Sequence, residues 1–552
     1  MEDFIFGTVA VDELKVHRHR VERSGLQHAH AIQPRDPNPG KPVRISVLSG
    51  PDLPLDYAAC YYTTDGSKPE GSHGRAKHGH ALMLQPCESI WDNFRWGYLT
   101  RWETEIPAQP EGTLVRYRIS GWTHGSDEHF ADLPDVKATT DRAATNFFQG
   151  REAHADWVSG PHAGHVFSYH VDSFRPPEWA REAVIYQIFI DRFSPGPGRD
   201  WIQTDDLKQP FGGTLWGVLE KLDYLRDLGV TSLWLSPTWP TPSVHGYDVI
   251  DFFSVEPRIG GEQAMRELVQ AAHDRDIRIL LDLVPNHLSD KHPYFQEAVR
   301  DPSSKYRDWF TFEDYGPGYR SFFGVASMPE LNLSNPEARQ WMIDIGAYWL
   351  HEYNIDGYRL DHANGPGPSF WSEFWPACKQ EKPDCLCFSE IVEPAEVLRR
   401  YTGRLDGTLD FIFADSVRRF FREDDLDQTL LETFLQKHYR YFEADFLQFS
   451  FLDNHDMDRF LYITGGDKQK LVHAAELQMD LPGPPIIYYG TEVGLNQSSG
   501  KSSADGLEAS RVPMVWDDRQ DEELLQKYKL LIRERELARP WDRALNWQEG
   551  LS

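Results

Sequence analysis

The stretch IRILLDLVPNH (277–287) joins a near-continuous apolar run to an acidic residue and a terminal histidine. Seven similar apolar runs, separated by amphipathic segments, follow the same rhythm: AVIYQIFI (183–190), TSLWLSP (231–237), IDGYRLDHA (355–363), CLCFSEIV (385–392), DFIFAD (410–415), FLQFSFLDNH (446–455) and PPIIYYGTE (484–492). Strands that are apolar on both faces are typical of a parallel sheet covered by helices. Eight such units predict an α/β protein with a closed (β/α)8 TIM barrel, and an open doubly wound sheet is the alternative.

The segments between these runs have the period of helices. In GVLEKLDYLRDLG (217–229) the side chains of Val218, Leu222 and Leu225 share one face. The same pattern predicts helices in EQAMRELVQAAHDRD (262–276), NPEARQWMIDIGAYWLHEY (335–353), KQKLVHAAELQM (468–479) and DEELLQKYKLLIRERELA (521–538). The last of these is expected to be the final helix of the barrel.

The first third of the chain has a different pattern. Residues 1–40 are polar and predicted to be irregular, and PRDPNPGKP (34–42) is typical of a linker or turn. From 43 to 172, short β-rich segments alternate with turns, which predicts an antiparallel β-sandwich. We therefore expect an N-terminal domain over 1–175, a barrel over 176–540 with a small excursion over 288–334 after its third strand, and a short tail over 541–552.

Composition narrows the classes of function. The chain of 552 residues carries a formal net charge of −29, which argues against nucleic acid as a partner. It contains no apolar run of about 18 residues, so no membrane partner is expected. Its five cysteines show no repeated spacing, which predicts free thiols, and the first residues do not resemble a secretory signal. These features predict a cytoplasmic protein.

Three carboxylates stand at the ends of predicted strands. Asp361 lies in GYRLDHANG (357–365), Glu390 in SEIVEP (389–394) and Asp456 in FLDNHD (451–456). The side chains that follow the strands of such a barrel meet at one mouth, where active sites form. A single acid there could be a salt bridge or a helix cap, but three of them repel one another and indicate catalysis.

These segments resemble the four signature regions of the α-amylase family of glycoside hydrolases. HGYD (245–248), MPELN (328–332) and RVPMVWD (511–517) resemble further segments of that family. The β-rich N-terminal part, YQIFIDRF (186–193) and RLDHAN (359–364) are similar to the branch of neopullulanases, cyclomaltodextrinases and maltogenic amylases.

The resemblance implies a retaining mechanism, in which one carboxylate is the nucleophile and a second is acid and then base. Asp361 is the expected nucleophile, and Arg359, two residues earlier on the same strand, is expected to favour its ionised form. Glu390 is the expected general acid, with a pKa raised by acidic neighbours and by exclusion of water. Asp456 is expected to stay ionised and to bind and distort the sugar ring.

The expected substrate-binding residues surround the three acids. His287, His455 and His245 would donate to sugar hydroxyls, and Tyr247 would offer its ring as a platform. His362 has two interpretations, contact with the acceptor side of the substrate or a packing role. The full predicted set, apart from the three acids, is Arg359, His287, His455, His245, Tyr247, Asp282, His362 and Glu330, the last through an influence on linkage preference.

The sequence also departs from the family pattern. Many members bind calcium through the residue equivalent to Asn286 and a histidine four positions after the nucleophile, where this chain has Gly365. We therefore predict neither a required metal nor a cofactor, with calcium as the alternative. Val392 stands where the branch usually has tryptophan, which leaves linkage and product open. Only a short segment follows the last predicted helix, so the C-terminal β-domain of most relatives is expected to be absent or removed.

The predicted function is hydrolysis of α-1,4 and also α-1,6 linkages in maltooligosaccharides, cyclodextrins, pullulan or starch, with release of maltose or glucose. One alternative is a transglycosylase or sugar isomerase that uses the same covalent intermediate. A second is a glucan-binding protein without catalytic activity. Two roles stay open for the N-terminal domain, starch binding and formation of a homodimer, and the resemblance favours the homodimer.

Overall fold

The computed structural model describes residues 12–132, 164–314, 316–423 and 427–542. The start of the predicted irregular segment and nearly all of the predicted tail, residues 543–552, lie outside this part of the chain. The described residues form two large sheets, one of them antiparallel and the other a closed parallel barrel.

The N-terminal sheet has strands that alternate inward and outward side chains. In β9, for example, Val115, Tyr117 and Ile119 are buried while the residues between them are partly exposed. The strands are β1 Leu26–Gln27, β2 Ile32–Gln33, β3 Val43–Ser49, β4 Tyr57–Thr63, β5 Glu70–Ser72, β6 Arg75–His78, β7 His80–Asp92, β8 Gly97–Ile106, β9 Thr113–Trp122, β10 His129–Phe130 and β11 Phe167–Val171.

Strand β7 connects two halves of this region. Its first residues, 80–84, pair with β4, and the rest, from Gln85 onward, pair with β8, with a register shift between Pro86 and Glu88. Side chains from both halves, among them Ile45, Trp102 and Tyr117, form one apolar cluster between them. This two-layered antiparallel arrangement matches the predicted sandwich.

The barrel strands are short and buried on both faces. They are β12 Ile185–Ile188, β13 Ser232–Leu235, β14 Arg278–Leu283, β15 Gly357–Leu360, β16 Leu386–Ser389, β17 Gly407–Leu409, β18 Leu447–Phe451 and β19 Pro485–Tyr488. Each pairs in parallel with the next, and β19 pairs with β12, so the barrel closes. The predicted (β/α)8 barrel is confirmed, and the open-sheet alternative is excluded.

Helices surround the barrel, and several of them begin at side-chain caps such as Asn335, which accepts from the backbone of Glu337 and Ala338. They are α1 Asp12–Val21, α2 Glu178–Glu182, α3 Ile190–Phe193, α4 Leu215–Glu220, α5 Leu222–Leu228, α6 Gly261–His273, α7 Pro293–Arg300, α8 Pro336–Glu352, α9 Gly367–Glu381, α10 Ala395–Leu398, α11 Phe411–Arg422, α12 Gln428–Tyr441, α13 Phe460–Ile463, α14 Lys468–Met479 and α15 Glu522–Ala538. The helix predicted over 217–229 is divided at Lys221.

The sixth predicted strand, DFIFAD (410–415), is wrong. The sixth strand is the shorter β17 just before it, and residues 411–422 form α11. Asp410 ends the strand and caps the helix, since its carboxylate accepts from the backbone of Phe413. An apolar run of four residues is compatible with a helix or a strand, and here the capping residue Asp410 favours the helix.

The expectation of an irregular first 40 residues is also wrong for the described part. Helix α1 and the short strands β1 and β2 occupy much of it. The helix is polar, and ion pairs with residues far along the chain hold it: Arg18 with Glu393, and Arg23, two residues after the end of the helix, with Asp92. Such long-range partners leave no local pattern in the sequence.

The excursion after β14 folds against the barrel mouth. It contains α7, short 3-10 turns at Arg307–Trp309 and Phe322–Gly324, and isolated bridges that include the pair His287 and Glu330. Further 3-10 turns lie at Pro257–Ile259, Arg399–Tyr401, Thr491–Val493 and Gly506–Ser510. Within the described ranges, no helix is long and apolar enough to span a bilayer.

Candidate active site

One buried guanidinium organises the mouth of the barrel. Arg359 lies on β15 beside Asp282 of β14, and its Nη1 donates to Asp282 Oδ1 at 2.6 Å and to Asp361 Oδ1 at 2.8 Å. Its Nη2 lies 2.7 Å from Glu390 Oε1. Since a single planar group contacts all three carboxylates, Asp361 and Glu390 face the same end of the barrel.

The positions of the two acids follow from the parallel sheet. The amide of Asp361 donates to Leu283 O, and the amide of Glu390 donates to Leu360 O, which continues the ladder one residue past each strand. The second oxygen of Glu390 accepts from the backbone N–H of His362 at 3.1 Å. Both carboxylates are therefore fixed by Arg359 and by the sheet that holds their own amides, and the carboxylate of Glu390 is also held by the backbone of His362.

Asp282 lies at the floor of the site and is fully buried. Besides the contact with Arg359, its Oδ2 accepts from Trp234 Nε1 at 2.8 Å and from the hydroxyl of Tyr247 at 2.9 Å. Three donors satisfy this carboxylate, so Asp282 acts as the anchor that orients Arg359.

The third predicted acid belongs to a second branch of the network. Asp456 Oδ2 lies 2.8 Å from His455 Nε2, and Arg511 Nη2 donates to Asp456 Oδ1 at 2.9 Å. Because Gln187 donates to His455 Nδ1 at 2.6 Å, the ring proton belongs on Nε2, where it faces Asp456 and the Tyr247 hydroxyl. Tyr247 thus connects this branch to Asp282.

Exposure increases from the floor to the rim. The side chains of Arg359 and Asp282 are 0% exposed, whereas those of Asp361, Glu390 and Asp456 are 9%, 16% and 23% exposed. The three predicted catalytic acids therefore keep accessible surface, while the groups that position them do not.

Burial and neighbouring charges shift the pKa values of the acids in different directions. Burial raises the pKa of Asp361 well above its usual range and also raises the pKa of Glu390, and Arg359 opposes both shifts. His455 and Arg511 outweigh burial at Asp456 and hold the pKa of that carboxyl well below its usual range. Arg359 does favour the ionised form of Asp361, as expected, but burial and the carboxylate of Glu390, which shares the guanidinium, outweigh it.

The remaining predicted residues lie around these acids. The ring of His287 stacks on Phe322 with centroids 4.6 Å apart, and His362 meets the same Phe322 ring edge-on at 5.0 Å. Glu330 pairs with His287 through an isolated backbone bridge. His362 also has a left-handed backbone with φ of 42° directly after Asp361, a conformation that tends to occur where function over-determines the chain.

Three predicted binding residues stack on one another at the other side of the site. Tyr247 stacks on His455 at 5.5 Å, and His245 stacks on Tyr247 at 6.0 Å. His455 is almost fully buried and its ring nitrogens already face Gln187, Tyr247 and Asp456. It is therefore placed to orient Asp456, while His245, with a side chain 27% exposed, is more accessible to a ligand.

Sequence reasoning did not single out Gln187, Trp234 or Arg511. Gln187 and Trp234 each stand within an otherwise apolar strand run, and their polar atoms point into the barrel toward His455 and Asp282. A lone polar or indole group in such a run was the available signal. Arg511 opens the RVPMVWD segment, but nothing local indicates that it reaches Asp456.

The residues near Asn286 do not fit the calcium pair seen in many family members. A Cβ added at Gly365 would lie 1.9 Å from Asn286 Oδ1, so a histidine side chain has no room there in this arrangement. Within the described ranges, no group of three or more His, Cys, Asp or Glu side chains is arranged to hold a metal ion.

Comparison with known proteins agrees with this geometry. The sequence profile of the alpha-amylase catalytic domain matches residues 187–530, and the chain therefore belongs to the alpha-amylase family. It is 40% identical to Alpha-amylase 2 of Dictyoglomus thermophilum over 366 residues, which cover 66% of this chain and 64% of that protein. It is 36% identical to an intracellular maltogenic amylase of Bacillus subtilis over 381 residues, covering 66% of this chain and 63% of that protein.

A solved structure extends the likeness to the N-terminal sheet. A structure named cyclomaltodextrinase aligns with a TM-score of 0.62 and 27% identity, covering 93% of this chain and 84% of the other. The predicted family and branch are thus confirmed. The match with Alpha-amylase 2 spans 64% of that relative, just under two thirds of its length.

Proposed function

We propose that the protein hydrolyses α-glucosidic bonds with retention of configuration, through a covalent glycosyl-enzyme. The observation that carries this proposal is the contact of Arg359 with both Asp361 and Glu390, which presents two partly exposed carboxyl groups at one mouth. Retaining glycosidases need two such groups, with one as nucleophile and the other as acid and base.

In the first step a carboxylate oxygen of Asp361 attacks the anomeric carbon, and Glu390 gives its proton to the departing glycosidic oxygen. In the second step Glu390 takes a proton from water, and the water oxygen displaces Asp361 from the anomeric carbon. Asp361 and Glu390 contact one guanidinium, and burial raises the pKa of both, so the two carboxyl groups titrate as a pair. The reaction requires a proton on Glu390 and an ionised Asp361.

Asp456 is proposed to bind the hydroxyls of the same sugar. His455 and Arg511 keep it ionised, and a carboxylate in that state strengthens its hydrogen bonds as the sugar ring becomes positively charged. The rings of His245 and Tyr247 are proposed to border the sugar on one side.

The proposed substrates are maltooligosaccharides, cyclodextrins, pullulan and starch, cut at α-1,4 and also α-1,6 linkages to maltose or glucose. The relatives named maltogenic amylase and cyclomaltodextrinase support this range. A product profile on maltotriose, β-cyclodextrin, pullulan and starch tests it. Absence of new reducing ends from all four substrates would contradict the proposal and favour a binding protein.

A transglycosylase is the second candidate, and one observation favours it. His362 lies edge-on between Phe322 and Phe323, at 5.0 and 5.6 Å, directly after Asp361. An aromatic wall there would bind a second sugar and exclude water from the covalent intermediate. Products longer than the substrate at high maltose would support transfer.

We propose a cytoplasmic location and a homodimer. All five cysteines are free thiols, which suits a reducing compartment. The N-terminal sheet exposes an aromatic cluster, Trp91, Trp96 and Tyr98, with Trp96 79% exposed, which could form part of a subunit interface. Light scattering at several concentrations tests the dimer.

A further inference from the structure

Helix α1, at the start of the described chain, contacts the barrel beside the general acid. Arg18 Nη2 lies 2.5 Å from Glu393 Oε2, although 375 positions separate the two residues. Glu393 follows Glu390 by three residues in SEIVEP. A residue of the N-terminal region thus forms an ion pair with the loop that carries the proposed acid.

That loop is short and irregular. Residues 390–394 connect β16 to α10 without a helix or strand of their own. At one end the amide and carboxylate of Glu390 are held by Leu360 O, Arg359 and the amide of His362. Near the other end the side chain of Glu393, only 12% exposed, is held by Arg18.

Other contacts fix α1 independently of this loop. His19 Nε2 lies 3.0 Å and Arg23 Nε 3.2 Å from Asp92 Oδ2 at the end of β7. Arg18 Nε also contacts Glu22 Oε1 at 3.3 Å, one turn along the helix, which orients the guanidinium. The helix therefore offers Arg18 from a fixed support.

The charges around Glu393 explain why loss of the ion pair with Arg18 would displace the loop. Burial raises the pKa of Glu393, and Arg18 opposes the shift. The other nearby charges are Glu22, directly after α1, and Arg400. Without Arg18, the buried carboxylate would lose its ion-pair partner, and such a group either takes up a proton or moves toward water. Either response would displace the loop.

We propose that Arg18 is a positioning residue for the general acid: through Glu393 it holds the 390–394 loop, so the N-terminal region supports catalysis within its own chain. This inference rests on the proposed function. Loss of the ion pair loosens the loop on the side of Glu390 that Arg359 does not hold. The proton donor then lies less often within reach of the glycosidic oxygen.

The first test compares Arg18→Ala with Arg20→Ala on maltotriose. Arg20 lies on the same helix, and its side chain is exposed. We expect kcat of R18A to fall about tenfold, since small misplacement of a reacting group is costly, while KM stays within about twofold. R20A should match the wild type, and R18K, which keeps the charge, should recover part of the loss.

A pH profile separates positioning from general destabilisation. The groups that face Glu390 are Arg359 and Asp361 from the end of β15 and His455 and Asp456 after β18. Loosening the loop hydrates Glu390 and lowers its pKa toward the ordinary value. The alkaline limb of kcat/KM for R18A should therefore move to lower pH.

A double-mutant cycle completes the test. If Arg18 acts through Glu393, R18A in an E393Q background should cost little beyond E393Q alone. Equal losses in both backgrounds, or an unshifted alkaline limb in R18A, would overturn the inference. If R18A does not fold, R18K takes its place in the cycle with E393Q, and the same outcomes support or overturn the inference. An inactive wild type would instead contradict the proposed function.

Discussion

The buried carboxylates at the two ends of strand β15 differ in the number of basic groups that neutralise them. Just before the strand, Asp356 is 2% exposed and has His273 Nε2 at 2.7 Å, Lys382 Nζ at 3.0 Å and Arg278 Nη1 at 3.5 Å. Just after it, Asp361 shares the single guanidinium of Arg359 with Glu390 and Asp282. One carboxylate has three basic partners, while three carboxylates share one cation.

The pKa directions follow this difference. The basic neighbours of Asp356 lower its pKa in spite of burial, whereas the pKa values of Asp361 and Glu390 are raised. The amino end of the barrel is thus arranged for stability, and the carboxyl end holds acids in an unfavourable state that general acid catalysis can use.

The largest expected effect is on activity, from Glu390→Gln. Loss of the proton donor should reduce kcat on maltotriose about 1000-fold. The melting temperature at pH 7 should equal or exceed that of the wild type, because the change removes one of three acids around Arg359. A clear drop in melting temperature would show that the carboxyl end is not charge-strained.

Asp356→Asn should have the opposite effect, a loss of stability with unchanged activity. Three basic groups would lose the negative charge of Asp356, and we expect a loss of about 2–3 kcal/mol in the free energy of unfolding. This is below the figure for fully buried pairs because the basic groups are partly exposed. Denaturant titration measures this, and kcat below the unfolding range should be unchanged. A large loss of kcat with intact stability would contradict the proposed difference between the two ends of strand β15.

The stability difference for Asp356→Asn should also depend on pH. A lowered pKa in the folded protein gives stabilisation that is present above the unfolded value of about 4 and is lost as pH falls through the folded value. The gap between variant and wild type should therefore narrow in acid. A gap that widens below pH 4 would contradict the assignment.

A smaller effect is expected in the pH profile of kcat/KM. Asp361 must be ionised and Glu390 protonated, and burial raises the pKa of both. The acid limb should therefore lie above the ordinary aspartate value of about 4, and activity should persist into a range where an exposed glutamate has lost its proton. An acid limb at or below that ordinary value would contradict the account of shared charge.

The smallest expected effect concerns His362→Ala. Opening the wall formed with Phe322 and Phe323 should admit water and lower the ratio of transfer to hydrolysis about threefold at high maltose, with kcat nearly unchanged. Chromatography of the products measures this ratio. An unchanged ratio would assign His362 to packing alone.

Much of this structure was accessible from the sequence, for a physical reason. Barrel strands buried on both faces give uninterrupted apolar runs, and the side chain that follows each run lies at the mouth of the barrel. This rule identified Asp361, Glu390 and Asp456 as candidate catalytic residues. DFIFAD failed because a short apolar run is ambiguous between helix and strand. Arg18 and Arg511 were not found because their partners are set by tertiary folding.

The most direct measurement of the central claim is trapping of the covalent intermediate. Wild-type protein treated with a 5-fluoro-α-glucosyl fluoride, digested and examined by mass spectrometry should carry the sugar on the peptide that contains Asp361, and E390Q should release it more slowly. Turnover without any adduct, or an adduct on a carboxylate other than Asp361, would contradict the account.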